Sequence, residues 1–268
     1  MSSSLDQIGP FSKTVTDSEI LYNAVKGADA MDGTTITDET YKPIKEFNKT
    51  IGVPRAFFAG DKISENVKKN LENSINKFKE LGYTIKDIEL PNISYSLAVY
   101  YILMPAEVSS NLSRFDGVKF GLHMDGKNGI DDYFKTRGIG FGKEVRRRVI
   151  LGAYVLSSGY YDAYYGSAQI AKQIITEEMR NAFKEVDIIL TPTTPTPAFK
   201  FGEKSNPLDM YLADIFTVPA NISGCPSISL PFGFETKDNI NLPLGIELTA
   251  DLGREDNIFR IGKEFLGE

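Results

Sequence analysis

The sequence predicts an α/β fold, a mixed β-sheet flanked by helices on both faces, in a single domain over residues 1–268. Three observations predict it. Residues 51–58, 64–81 and 84–90 read as strand, helix and strand, and a helix that crosses between two strands of one sheet makes them parallel. Residues 186–191 (VDIILT) form a short apolar run of the kind a sheet buries on both faces. Strand and helix signals then alternate to the end, with no internal repeat.

The first helix is expected to open at Thr16, where Thr16-Asp17-Ser18-Glu19 has the form of a capping box and Ile20, Leu21, Ala24 and Val25 form an apolar stripe. It ends near Gly27. The polar stretch 29–48, with Gly33 and Pro43, reads as a surface connection. In the helix over 64–81, Val67, Leu71, Ile75, Phe78 and Leu81 recur at helical spacing, while Ser64 suits the start and Gly82 the end. Residues 96–113 are apolar and helical. From 115 to 140, Gly117, Gly121, Gly126, Gly129, Gly138 and Gly140 mark a long irregular excursion, a length usually reserved for functional or disordered loops.

Two helices follow, over 143–156 and 160–183, divided by Ser157-Ser158-Gly159. The strand at 186–191 runs into PTTPTP, whose prolines permit neither helix nor central strand. A helix over 208–221, strands over 227–231 and 244–248, and a closing helix over 254–266 complete the reading.

Composition removes whole classes of chemistry. His123 and Cys225 are the sole residues of their kinds, so a zinc site built from Cys and His is excluded and no disulfide can form within the chain. That fits a reducing, cytoplasmic setting, in which the sequons at Asn48, Asn92, Asn111 and Asn221 are chance matches. A net charge of -6 and a pI near 5.1 disfavour a broad phosphate-gripping surface. No run approaches the ~18 apolar residues of a membrane span, so no membrane partner is expected.

Several motifs fail on inspection. Gly138-Ile139-Gly140-Phe141-Gly142-Lys143-Glu144 has the wrong glycine spacing for a phosphate loop and lacks its Ser or Thr. Asp125-Gly126-Lys127-Asn128-Gly129 places a lysine where a calcium loop needs an oxygen ligand. Tyr160, Tyr161, Tyr164 and Tyr165 read as a packed helix face. The serines at 2–4, 109–110, 157–158 and 227 stand in no nucleophile elbow and read as turn, cap and packing residues.

Recognition of a small zwitterion is the chemistry the residues do suggest. A carboxylate favours a planar guanidinium, and an ammonium favours a carboxylate. Successive helical residues point ~100° apart, so Arg146, Arg147 and Arg148 cannot share one direction and one of them is expected to face inward. The alternative is a solvated basic face paired with Glu144. Asp214 lies in the otherwise apolar MYLADIF, where a carboxylate must be partnered or sit at an opening.

Six segments in order, SSLDQIGP (3–10), EVSSNLSRFDG (107–117), GFGKEVRRR (140–148), SSGYYDAYY (157–165), PTTPTP (192–197) and GCPSISLP (224–231), resemble the amidase-signature family. SSNLSRFDG and GFGKEVRRR are similar in particular to its glutamyl-tRNA(Gln)/aspartyl-tRNA(Asn) amidotransferase branch, the A subunits of those enzymes. The resemblance implies an amidase-signature fold and a glutaminase that passes ammonia to partner subunits B and C, which amidate mischarged tRNA. It implies a glutamine pocket that includes Tyr100, Arg148 and Asp214, with ATP and Mg held by one of those partners and no cofactor or metal in this chain. In the family a Lys-Ser-Ser triad upstream of SSLDQIGP does the hydrolysis. This sequence begins at that motif, so the expectation is a C-terminal part, without catalytic residues of its own and inactive alone. The C-terminal part of a general amidase and a non-catalytic scaffold for the partner subunits are the alternatives.

Overall fold

The computed structural model describes residues 1–36, 46–60, 63–204 and 206–268. The part of the expected surface connection that contains Pro43 lies outside them. Along the chain run α1 (Val15–Val25), β1 (Thr50–Val53), α2 (Glu65–Glu80), β2 (Thr84–Asp87), α3 (Ser96–Asn111), α4 (Gly129–Gly140), α5 (Lys143–Val155), α6 (Ser167–Phe183), β3 (Ile188–Pro192), α7 (Pro207–Tyr211), α8 (Val218–Ser223), β4 (Ser227–Lys237), β5 (Ile240–Ala250) and α9 (Glu255–Leu266). They fall into two compact units, residues 1–6 with 98–171, and residues 7–97 with 172–268.

The second unit holds the sheet. Among the described residues its strands lie in the order β2-β1-β3-β5-β4. β1 pairs in parallel with β2 and with β3, while β3–β5 and β5–β4 are antiparallel, so the sheet is mixed as expected. Period-two alternation divides β3 between two cores. Ile188 and Leu190 join Ile51, Val53, Ile246 and Leu248 beneath α2 and α9, whereas Ile189 packs with Met179 and Phe183 of α6 on the opposite face. Phe78 of α2 and Phe265 of α9 are fully buried and stack with centroids 4.5 Å apart. Fully burying one such side chain is worth roughly 2–3 kcal/mol, which is why these two helices cover that face.

Local chemistry explains the element ends. The Ser64 hydroxyl accepts the Val67 N–H, as the sequence predicts for the start of α2. At α1 the cap is Thr14 rather than Thr16, its hydroxyl accepting the Asp17 N–H at 3.0 Å. The expected apolar stripe of α1 is also not its buried face. Ile20, Leu21 and Val25 are exposed, and the helix packs through Val15 and through Tyr22, whose ring lies 5.4 Å from that of Phe259.

The two short strands expected near the C-terminus are one long hairpin. Asp238 and Asn239, at φ of 54° and 61°, make its turn between the paired residues Lys237 and Ile240. Pro231, Gly233, Pro243 and Gly245 break the alternation that would have revealed it. The register shift between Pro231 and Phe234, with Gly233 at φ 78°, accommodates them.

The first unit is helical. The excursion from 115 to 140 is only half irregular, because 129–140 forms α4, capped by the Asn128 side chain, which accepts from the Ile130 and Asp131 N–H groups. Its glycines masked the helix. Residues 161–166 form a single π turn, and its tyrosines pack on one another rather than into a core. Tyr154 and Tyr160 lie 4.4 Å apart, Tyr161 and Tyr165 5.0 Å apart, and Tyr160, Tyr161 and Tyr164 stay exposed. Among the described residues no helix is long and apolar enough to cross a membrane.

Candidate functional site

In the first unit, α5 meets α3 at a glycine. A Cβ on Gly152 would stand 1.9 Å from the Pro105 carbonyl oxygen, so only glycine permits the approach. One turn earlier on α5, that approach brings Arg148 to Met104, with Nη1 3.5 Å from the sulfur. Arg146 is exposed, whereas Arg147 and Arg148 are half-buried, as the ~100° offset between neighbours demands. Arg148 Nε donates to Glu144 Oε1 at 2.9 Å, and Arg147 Nη2 donates to the other oxygen of the same carboxylate. Burial works to raise the Glu144 pKa, but the Arg148 hydrogen bond and the two guanidinium charges outweigh it and hold the acid below its usual value. Inward packing and pairing with Glu144, posed as alternatives by the sequence, are therefore both present.

Tyr100 lies on α3 one turn before Met104, hence on the same side of that helix as the residue Arg148 touches. It is half-buried, its ring edge-on to Tyr101 at 5.3 Å. Asp214 belongs to the second unit. The single helix expected around it is divided into α7, a tight turn at Leu212–Asp214 and α8. Asp214 is half-buried in that turn, and its carbonyl accepts the Thr217 hydroxyl at 3.2 Å. The fold thus brings Tyr100 and Arg148 to one helix pair and places Asp214 in the other unit.

The serines at the start of the chain are bound rather than free. Ser2 Oγ and Ser4 N donate to Glu107 at 3.0 Å each, and Asn111 Nδ2 donates to the Met1 carbonyl at 2.9 Å, which ties the start of the chain to EVSSNLSRFDG. Gln7 Nε2 reaches the carbonyls of Ala220 and Cys225 at 3.2 and 3.3 Å, beside GCPSISLP. A cleft of about 630 Å³ opens there, lined by Gln7, Phe11, Ser227, Ser229 and Phe259 among others. His123 lies in the loop before α4, its Nδ1 2.6 Å from the Gly117 carbonyl and its Nε2 3.0 Å from Asp125. Gly138 and Gly140 fall within α4, and Gly142 precedes α5. Among the described residues no group of three or more His, Cys, Asp or Glu side chains is placed to hold a metal ion.

Two buried acids among the described residues, Asp187 and Glu247, were missed. Glu247 sits in the middle of β5, cross-strand from Thr191 and Ser229, and is 4% exposed. Burial pushes its carboxyl up to about 8 against the hydrogen bond to Ser227. A charged residue inside the apolar run LGIELTA was the available signal. Cys225 is likewise buried, and burial raises its thiol to about 11, so it is not a reactive thiolate at neutral pH.

The family profile described as Amidase matches residues 1–259. The chain belongs to the amidase family. It is 47% identical to the A subunit of glutamyl-tRNA(Gln) amidotransferase from Halothermothrix orenii over 252 residues, 92% of this chain and 52% of that protein. To its counterpart from Thermotoga maritima it is 43% identical, covering 97% of this chain and 55% of the relative. The crystal structure of the Thermotoga maritima protein superposes with a TM-score of 0.73 at 35% identity, over 98% of this chain and 53% of that one. A crystal structure of an amidase, 21% identical with a TM-score of 0.71 over 100% of this chain and 54% of that one, shares the fold. This amidase chain spans about half the length of the curated relatives it matches.

Proposed function

We propose that this amidase-family chain is the C-terminal part of the A subunit of a tRNA-dependent amidotransferase, and that it supplies one wall of a glutamine pocket. Similarity to the A subunits of glutamyl-tRNA(Gln) amidotransferases over nearly the whole chain supports the assignment. The observation that carries the pocket is Arg148, a half-buried guanidinium held by Glu144 and seated against Met104. A planar fork in that setting suits the α-carboxylate of glutamine, Asp214 suits its ammonium, and the Tyr100 hydroxyl suits a polar edge of the substrate. Groups outside this chain attack the side-chain amide, so the chain alone releases no ammonia. Subunits B and C receive the ammonia and amidate Glu-tRNA(Gln) or Asp-tRNA(Asn), with ATP and Mg bound by a partner. The assembly is cytoplasmic.

Ammonia release from glutamine tests this, with the protein restored to the length of its relatives and joined to subunits B and C. Arg148→Ala and Asp214→Ala raise KM by roughly tenfold or more while kcat changes little, the pattern of lost binding. An unchanged KM in both variants removes the pocket reading. Ammonia release by the 268-residue chain alone removes the assignment of the chemistry to groups elsewhere.

A further inference from the structure

We propose that Glu144 is a positioning residue for carboxylate recognition by Arg148, an inference that rests on the glutamine-pocket reading. The two residues stand one turn apart on α5, with Arg148 Nε and Glu144 Oε1 2.9 Å apart. The second carboxylate oxygen is engaged by Arg147, so two cations fix the position of one acid. A guanidinium presents its donors as a rigid fork. Glu144 takes the Nε side and Nη1 donates to the Met104 sulfur, so Nη2 is the donor placed to meet an incoming carboxylate.

The physical role is preorganisation. An arginine side chain that is free to rotate must be ordered when ligand binds, and that ordering weakens binding. Glu144 carries the ordering in the ligand-free protein. Its negative charge is already matched by Arg147, so it holds Arg148 without cancelling the positive charge a carboxylate needs.

Isothermal titration of the protein restored to the length of its relatives with glutamine, and with 4-aminobutanamide as the analogue lacking the carboxylate, tests this on the wild type, Arg148→Ala, Glu144→Ala and Glu144→Gln. Loss of one ordered side chain predicts that Glu144→Ala weakens glutamine by about tenfold and Glu144→Gln, which keeps an acceptor for Nε, by about threefold. Affinity for 4-aminobutanamide stays unchanged in both. Equal weakening of the two ligands, or full glutamine affinity in both Glu144 variants while Arg148→Ala loses it, overturns the inference and leaves the pocket reading standing. A wild type that binds no glutamine, or that binds it no better than Arg148→Ala does, overturns both. Glu144→Gln keeps the test open should Glu144→Ala fail to fold.

Discussion

Asp187 Oδ2 accepts both the backbone N–H and the hydroxyl of Thr50, each at 2.9 Å. The same oxygen accepts the Asn48 N–H at 2.9 Å, and the Asp187 N–H donates to the Thr50 carbonyl. Asp187 is 6% exposed and sits immediately before β3, and Thr50 opens β1. The cluster therefore sets the parallel register in which Ile51 faces Ile188. Asp187→Ala leaves several donors without their acceptor and is expected to cost about 3 kcal/mol. Urea denaturation measures it, and a loss under about 1 kcal/mol would show that the strands hold register without the carboxylate.

Glu247 makes stability fall as pH rises. Its carboxyl titrates near 8 when folded and near 4.5 when unfolded, so between those values the native state holds a proton that the unfolded chain has released. The protein then loses about 1.4 kcal/mol per pH unit through this window, and the loss stops above about pH 8. Glu247→Gln keeps the neutral shape and removes the titration. Its stability relative to wild type is expected to grow by roughly 4 kcal/mol from pH 5 to pH 8. Parallel denaturation curves for the two proteins at all pH values would show that Glu247 is ionised in the fold.

Gly152→Ala forces a methyl group into the Pro105 carbonyl. Overpacking at a helix contact costs about 1–3 kcal/mol, and a backbone obstacle places this case at the upper end. Faster amide exchange along α3 and α5 is the expected signature, with the strands of the second unit unchanged. Normal protection in both helices would mean that they separate without penalty.

Asn239 holds a left-handed φ of 61° at the tip of the β4–β5 hairpin. Asn239→Gly places a glycine directly after Asp238, a preferred Asp-Gly pair for this turn, and is expected to stabilise by up to about 1 kcal/mol. A lower melting temperature would show that the asparagine side chain supports the turn.

Much of this was legible in residues alone because it depends on local rules. The parallel strand–helix–strand unit, the Ser64 cap, and the short apolar run of β3 that a sheet buries on both faces follow from spacing and capping chemistry within a dozen residues. The motif order from SSLDQIGP to GCPSISLP carried the family. Sequence and structure part where a local signal has two meanings. Glycines at 138 and 140 resemble a loop yet sit in α4, and prolines at 231 and 243 interrupt what is a continuous hairpin. The stripe on α1 stays exposed because Val15 and Tyr22 make the packing contacts instead.

For the candidate site, the residues by themselves pointed to the arginine run 146–148 and to Asp214 and supplied Glu144 as a neighbour of the arginines, the family resemblance singled out Arg148 and added Tyr100, and composition excluded chemistry that needs several His or Cys residues. Tertiary structure alone decided which arginine is seated and what surrounds it. Gly152 admits Pro105, that approach sets Met104 beside Arg148, and Met104 and Arg148 are distant in the chain. It also decided that Glu247 is buried, since strand neighbours from β3 and β4 enclose it. Spacing within one element is a local property of the chain, whereas desolvation and contact between elements exist only once distant segments pack.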